Sequence, residues 1–148
     1  MVSLLDQLSF NEPWPKNTFA YELTTSYSIC QVAIDPDGTL VGVIVVWLVV
    51  DEAHIATIAV HPDHRQKGIG AGLLATALLI AAHRGAVSSL LEVRVSNQAA
   101  LKLYERFGYK TTGVRKNYYQ DNQEDALLLT LSELNKDQLR NFLPPNRV

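Results

Sequence analysis

Short apolar runs alternate with turn-forming clusters along this chain, and the spacing within each run separates strands from helices. Ser28–Ile34 and Thr39–Val50 are apolar stretches divided by Asp35-Pro36-Asp37-Gly38, a strong turn signal. Together they predict a hairpin. The second run carries valine and isoleucine at successive positions, so both of its faces need cover and it is expected inside a sheet. Asp51-Glu52 marks the next turn and Ala53–Val60 a third strand. Over Gly70–Arg84 the period changes: Leu73, Leu74, Ala77, Leu78 and Ala81 recur at helical spacing, and Gly85 follows in the usual C-terminal place. Ser88–Val95 is again strand-like. Asn97 can cap a helix running to Phe107, with an apolar stripe of Ala100, Leu101, Tyr104 and Phe107, and Gly108 stops it. Tyr109–Val114 and Ala126–Leu131 are the last strand candidates. Ser132–Phe142 reads as a short final helix ended by Pro144-Pro145, and Thr18 to Thr24 also reads as helix.

This interleaving predicts an α/β (α+β) fold, with one mixed, mostly antiparallel sheet flanked by helices. A strand, a helix and a strand in succession place a parallel pair at residues 55–60 and 89–95. Ligands are expected at the carboxyl ends of such strands. A length of 148 residues fits a single domain over 1–148. The hydrophobic fraction of 47% and charged fraction of 19% point to a globular chain rather than a disordered one. A net charge of −2 argues against nucleic acid as a partner. Cys30 is the only cysteine, so no internal disulfide forms, and a buried, inert thiol is expected. Met1 to Phe10 lacks the features of a secretory signal. The most apolar run, Leu40 to Val50, falls well short of the roughly 20 residues of a membrane-spanning helix. A cytoplasmic protein with no membrane partner is the expectation.

The segment with most chemical content joins the third strand to the first strong helix: Arg65, Gln66, Lys67, Gly68, Ile69, Gly70 and Ala71. Glycines at 68 and 70 permit a tight turn and leave no Cβ in the way of a ligand. The helix that follows directs free N–H groups and the positive end of its dipole at the loop, which suits phosphate or pyrophosphate. Arg65 and Lys67 add positive charge. Two nucleotide-binding patterns are excluded. There is no Gly-x-x-x-x-Gly-Lys-Ser/Thr loop, and Leu73 stands where Gly-x-Gly-x-x-Gly needs its third glycine. His61-Pro62-Asp63-His64 is explained by a turn, and no further ligand cluster suggests a metal. Nor does any patterned histidine mark Cys30 as a nucleophile.

Arg65-x-x-Gly68-x-Gly70 resembles the acetyl-CoA pyrophosphate loop of the GCN5-related N-acetyltransferases, the GNAT superfamily. The similarity extends to Asp51-Glu52-Ala53, Ile58-Ala59-Val60, Leu91-Glu92-Val93-Arg94, Ser96-Asn97, Leu103-Tyr104-Glu105 and Phe107-Gly108-Tyr109. It continues through Arg115-Lys116-Asn117-Tyr118-Tyr119 and Glu124-Asp125-Ala126, with Pro13-Trp14-Pro15-Lys16-Asn17-Thr18-Phe19 upstream. In this order they resemble the ribosomal-protein-alanine N-acetyltransferase (RimI) family over residues 10–131, leaving 132–148 as a C-terminal extension without a readable function. The resemblance implies a GNAT fold, acetyl-CoA as cosubstrate bound at a splayed parallel strand pair, and no metal. The implied substrate is the N-terminal alanine of a small-subunit ribosomal protein. The alternatives are another peptide or small amine, or a CoA-binding module without catalysis.

The same resemblance assigns roles. The main chain of Ile58, Ala59 and Val60 would pair with the pantetheine arm, Gln66 to Ala71 would hold the pyrophosphate, and Asn97 would contact CoA while capping its helix. Glu92 would be the general base and Tyr104 the general acid. Taken by themselves, Glu92 is an outward carboxylate of an alternating strand and Tyr104 a core residue of a helical stripe. A free α-amine, with a pKa near 8, needs only modest help to lose its proton, whereas a lysine near 10.4 needs far more. Two departures stand out. Few residues precede Trp14, where the family has a first strand and a full first helix. The 119–124 loop is short, with Gln120 where proline is frequent.

Overall fold

The computed structural model describes residues 26–143. The helix expected at Thr18–Thr24, the start of the chain and the Pro144-Pro145 stop lie outside them. The first hairpin forms as its turn residues dictate. Asp35 Oδ1 accepts from the N–H groups of Asp37 (2.9 Å) and Thr39 (3.0 Å), and Gly38 takes a left-handed φ of 84°. Strand β1 (Ser28–Ile34) pairs antiparallel with β2 (Leu40–Val49), which pairs in turn with β3 (Glu52–Val60). Paired on both sides, β2 buries Val41 and every residue from Val43 to Val46, as its continuous apolar run demands. Next come α1 (Ile69–His83), β4 (Ser88–Arg94), α2 (Gln98–Phe107), β5 (Lys110–Arg115), β6 (Ala126–Leu131) and α3 (Lys136–Arg140). Among the described residues the sheet order is β1-β2-β3-β4-β6-β5, and only β3 and β4 run parallel.

That parallel contact is shorter than expected and lies lower. It consists of Glu52 opposite Ser88, Ala53 opposite Ser89 and His54 opposite Leu90. Beyond His54 the strands part: Ile55 to Val60 pair only with β2, and Leu91 to Arg94 only with β6. A bulge accompanies the parting. Val46 faces Ile55 and Val45 faces Thr57, so Ala56 is an extra residue in β3, and a bulged strand bends and twists more strongly. The bulge also reverses the strand's parity. Before it, Ala53 and Ile55 enter the core beneath α1; after it, Ile58 and Val60 do. Ala59 turns to the opposite face and packs with Val43 and Leu40.

Helix α1 covers one face of the sheet with Ala71, Leu73, Leu74, Ala75, Ala77, Leu78 and Ala81 buried. Its first turns approach β2 closely because residue 42 is glycine. A Cβ there would stand 2.8 Å from Leu73 Cδ1 and 3.1 Å from Ile69 Cγ2. The helix ends at Arg84, followed by Gly85 at φ 103°. Asn97 caps α2 by accepting from Ala100 N at 3.2 Å, and Gly108 closes it at φ 96°. Tyr109 follows and donates its hydroxyl to Ser89 Oγ at 2.6 Å within the core.

Two expectations are corrected. The final helix covers Lys136–Arg140, not Ser132–Phe142: Leu134 N is tied to Val87 O, and Asn135 caps the helix from Gln138 N. Cys30 is half-buried. It sits on β1, the last strand at one end of the described order, where cover is partial. No helix among the described residues is long and apolar enough to cross a membrane.

Candidate active site

The Gly-containing loop leaves the end of β3 through a short 3-10 turn, Pro62–His64, fastened by His61 N to Val41 O at 2.8 Å and by Asp63 N to His61 Nδ1 at 3.1 Å. Arg65 Nε donates back to Val60 O at 3.1 Å, which anchors the guanidinium at the strand end. Gln66 and Gly68 are both left-handed, at φ 63° and 81°. The first costs about 1–2 kcal/mol for a residue with a Cβ, a strain of the sort that gathers at functional sites. Gly72 N is the first N–H bonded back into the helix, to Gly68 O at 3.0 Å. The four N–H groups from Gly68 to Ala71 have no acceptor among the described residues, and α1 has neither a side-chain cap nor an acidic residue in its first turn. The positive end of the helix is thus uncompensated beside Arg65 and Lys67, which is a site for an anion. The two glycines differ. Gly68 is required by its φ, whereas a Cβ at Gly70 would meet only Leu103 Cδ2 at 3.6 Å and Val60 Cγ2 at 3.8 Å. The fold alone does not demand glycine at 70.

Glu92 and Tyr104 lie on opposite sides of the sheet. Leu91 and Val93 enter the core, so Glu92 points to the other face, with 31% of its side chain exposed. Arg115 Nε lies 3.4 Å from Glu92 Oε1. The same carboxylate lies near the Tyr118 hydroxyl and raises that phenol above its ordinary range. Tyr104 comes from the helix side. It is buried, edge-on to Tyr109 at 5.5 Å between ring centroids. Burial holds its hydroxyl well above the ordinary phenol range, and Tyr119 adds to the effect. Tyr104 is therefore a neutral donor throughout the physiological range. Asn97 is exposed at the start of α2, its side-chain oxygen engaged in the cap.

The segment from Arg115 to Asp125 is bound into this face. Arg94 holds Asp121 through two hydrogen bonds of 2.9 and 3.0 Å, reaches Asn122 Oδ1 at 3.3 Å, and lies 3.9 Å from the centre of the Tyr119 ring. Burial raises the Tyr119 phenol to about 12, partly opposed by Arg94. Glu124 accepts from Ser96 N at 2.7 Å and Asp125 from Asn117 N at 2.9 Å, and both carboxyls sit below their ordinary range, Glu124 first through the Ser96 side chain and Asp125 first through the Asn117 N–H. Lys116 Nζ adds a 3.0 Å bond to Asp125. Sequence reasoning did not single out Arg94, Arg115, Tyr118 or Tyr119 as parts of the site, although all four lie inside the motifs quoted for the family resemblance. Their partners are distant in sequence, and only the β4–β6–β5 register brings them together.

The model of the Acetyltransferase (GNAT) family matches residues 2–109. The chain belongs to the GNAT family. A Bacillus subtilis protein, provisionally named a ribosomal protein bS18-alanine N-acetyltransferase, is 40% identical over 125 residues, 84% of this chain and 83% of its own length. The crystal structure of the ribosomal-protein-S18-alanine N-acetyltransferase from Escherichia coli superposes with a TM-score of 0.80 at 32% identity, covering 88% of this GNAT chain and 84% of the other. A chain of the NatC complex bound to Gag peptide and CoA gives 0.78 at 27% identity, covering 88% and 87%.

Proposed function

We propose that this GNAT protein transfers the acetyl group of acetyl-CoA to a protein N-terminal α-amine, that of the N-terminal alanine of ribosomal protein bS18. One observation carries this reading: β3 and β4 part beyond His54, with the Glu92 carboxylate on one side of the sheet, the buried neutral phenol of Tyr104 in the core on the other, and an uncompensated helix N-terminus after the end of β3. The bS18-directed relatives support the choice of substrate. This reading puts the protein in the cytoplasm, acting as a single domain.

Acetyl-CoA suits the residues present. Gln66, Lys67 and the N–H groups of Gly68, Ile69, Gly70 and Ala71 would hold its pyrophosphate, with Arg65 beside them. The main chain of Ile58, Ala59 and Val60, in the stretch of β3 that no longer pairs with β4, would line the pantetheine arm as an added strand would. Asn97 would meet the CoA from the start of α2. Acetyl-CoA supplies an activated thioester; deprotonation, positioning and protection of the leaving group fall to the protein. Glu92 would take the proton of the amine, directly or through water. Tyr104 would donate to the sulfur as negative charge develops there, an interaction belonging to the transition state.

CoA release measured with a panel of acceptors tests the proposal. The panel holds the bS18 N-terminal peptide, peptides with other first residues, lysine side-chain amines and polyamines. The bS18 peptide should be the best acceptor. Faster turnover of polyamines or lysine amines would refute the substrate, and CoA binding without turnover of any acceptor would refute catalysis.

A further inference from the structure

Glu92 already has a cation beside it, and register puts it there. Leu127, Leu129 and Leu131 of β6 pack on the core, so Ala126 and Leu128 share the face of Glu92. Glu92 of β4 stands opposite Leu128, and Arg115 of β5 opposite Ala126. β4 and β5 lie two strand spacings apart, about 10 Å. The Arg115 side chain crosses β6 and places Nε 3.4 Å from Glu92 Oε1. Two arginines on this face are held very differently. Arg94 is fastened to Asp121 by hydrogen bonds of 2.9 and 3.0 Å, with 18% of its side chain exposed. Arg115 has a looser contact, longer than the roughly 2.7–2.9 Å of a charge-assisted hydrogen bond, and 55% of its side chain is exposed. Its guanidinium carbon also lies 5.6 Å from the centre of the Tyr118 ring, within reach of a cation–π contact. Lys116, the next residue, is spent on Asp125 at 3.0 Å. The cation left to Glu92 is therefore weakly bound and has a second place to rest.

The proposed reaction needs that carboxylate. A free α-amine with a pKa near 8 is about nine-tenths ammonium at pH 7, so the acceptor arrives as a cation. We propose that Arg115 is a placeholder for the acceptor's ammonium. It pairs with Glu92 while the site is empty, and it yields the carboxylate to the α-ammonium when a peptide enters, its guanidinium moving onto the Tyr118 ring. The proposal rests on the acetyl-transfer reading above. Entry of the acceptor is then an exchange of one cation for another, and Glu92 is paired before and after. The exchange selects by charge, because a neutral N-terminus cannot displace the guanidinium. The acetylated product is such a terminus: its nitrogen is an amide and carries no charge. Once Glu92 has passed the amine's proton to solvent, Arg115 returns and the product has no hold on the carboxylate. Arg115 acts through Glu92 and is a positioning residue.

Calorimetry in the presence of CoA, where no acetyl group can be transferred, tests the exchange. The ligands are the bS18 N-terminal peptide with its amine free and the same peptide N-acetylated. The proteins are wild type, Arg115→Gln, Arg115→Lys, Glu92→Gln and the Arg115→Gln/Glu92→Gln double variant. Arg115→Gln should bind the free-amine peptide about three- to fivefold more tightly, the worth of one exposed ion pair no longer competing. Its affinity for the acetylated peptide and for CoA should match wild type, and so should its Tm. Arg115→Lys, which keeps the charge, should return toward wild-type binding. In the Glu92→Gln background Arg115→Gln should change nothing, since the carboxylate they share is gone. Unchanged or weaker binding of the free-amine peptide to Arg115→Gln overturns the inference. So does a gain that extends equally to the acetylated peptide, or one that persists with Gln at 92. If wild type binds the peptide with the expected Arg115 effect and yet releases no CoA from acetyl-CoA, the proposed function fails and the exchange stands. If no protein of the set binds the free-amine peptide, both fail.

Discussion

Tyr104 combines two duties that a single methyl-scale change separates. Its ring is core, edge-on to Tyr109, while its hydroxyl stays protonated because burial disfavours the phenolate. Tyr104→Phe keeps the ring and removes the donor. Loss of one positioned donor to a developing charge costs about 2.7–4 kcal/mol of barrier, or 10²–10³ in rate. The expected result is a kcat lower by that factor, with acetyl-CoA affinity and Tm near wild type, read by steady-state kinetics, calorimetry and thermal melting. A parallel fall in Tm and kcat would leave Tyr104 as packing alone. Residues of this kind are half legible in sequence. Asn97 as a cap and Tyr104 on a helical stripe follow from local spacing. Arg94 bonded to Asp121, 27 positions away, does not, and neither does Arg115 beside Glu92, because those meetings depend on strand order and register.

At the scale of elements, helix α1 was readable almost to its ends. Five apolar residues at helical spacing, a Gly loop before and a glycine after leave little freedom, and all five are buried. What spacing could not reveal is how closely the helix sits on β2. Gly42→Ala would press a methyl against Leu73 and Ile69. Overpacking of this sort costs about 1–3 kcal/mol, so urea unfolding should show a loss in that range together with weaker CoA binding as the first turn of α1 is displaced. Gly70→Asp should behave in the opposite sense. An acidic residue in a first turn favours a helix by about 0.3–1 kcal/mol, while its charge opposes a bound pyrophosphate. Stability should hold or rise and CoA affinity should fall steeply by calorimetry; an unchanged affinity would move the cofactor elsewhere. The last helix was over-read, because the apolar residues of Ser132–Phe142 include Leu134, which is spent on a main-chain tie to Val87.

For the molecule as a whole, acid should act first on the face that carries Glu92. Glu124 and Asp125 hold the 115–125 segment, and both have folded-state pKa values below their ordinary ones, through the Ser96 side chain first for Glu124 and the Asn117 N–H first for Asp125. Groups with lowered pKa bind protons less readily when folded. Their contribution is complete above the ordinary carboxylate range and is lost as the pH falls through roughly 4.5 toward their lowered values. Tm should decline over that window, and Glu124→Gln with Asp125→Asn should flatten the decline while lowering Tm at neutral pH. The general architecture, strands about an open parallel pair, could be anticipated from alternating patterns. Where the pair opens could not, since the bulge at Ala56 that accompanies the opening leaves no mark in the spacing. That residue makes β3 a strand governed by its length more than by its composition. Side chains along it can be exchanged one at a time, each with a local cost. Shortening it by the one surplus residue would restore simple alternation and turn Ile58 and Val60 out of the interior together. Beside the opening into which a substrate fits, a single-residue insertion decides, in this sense, which way the end of a strand faces.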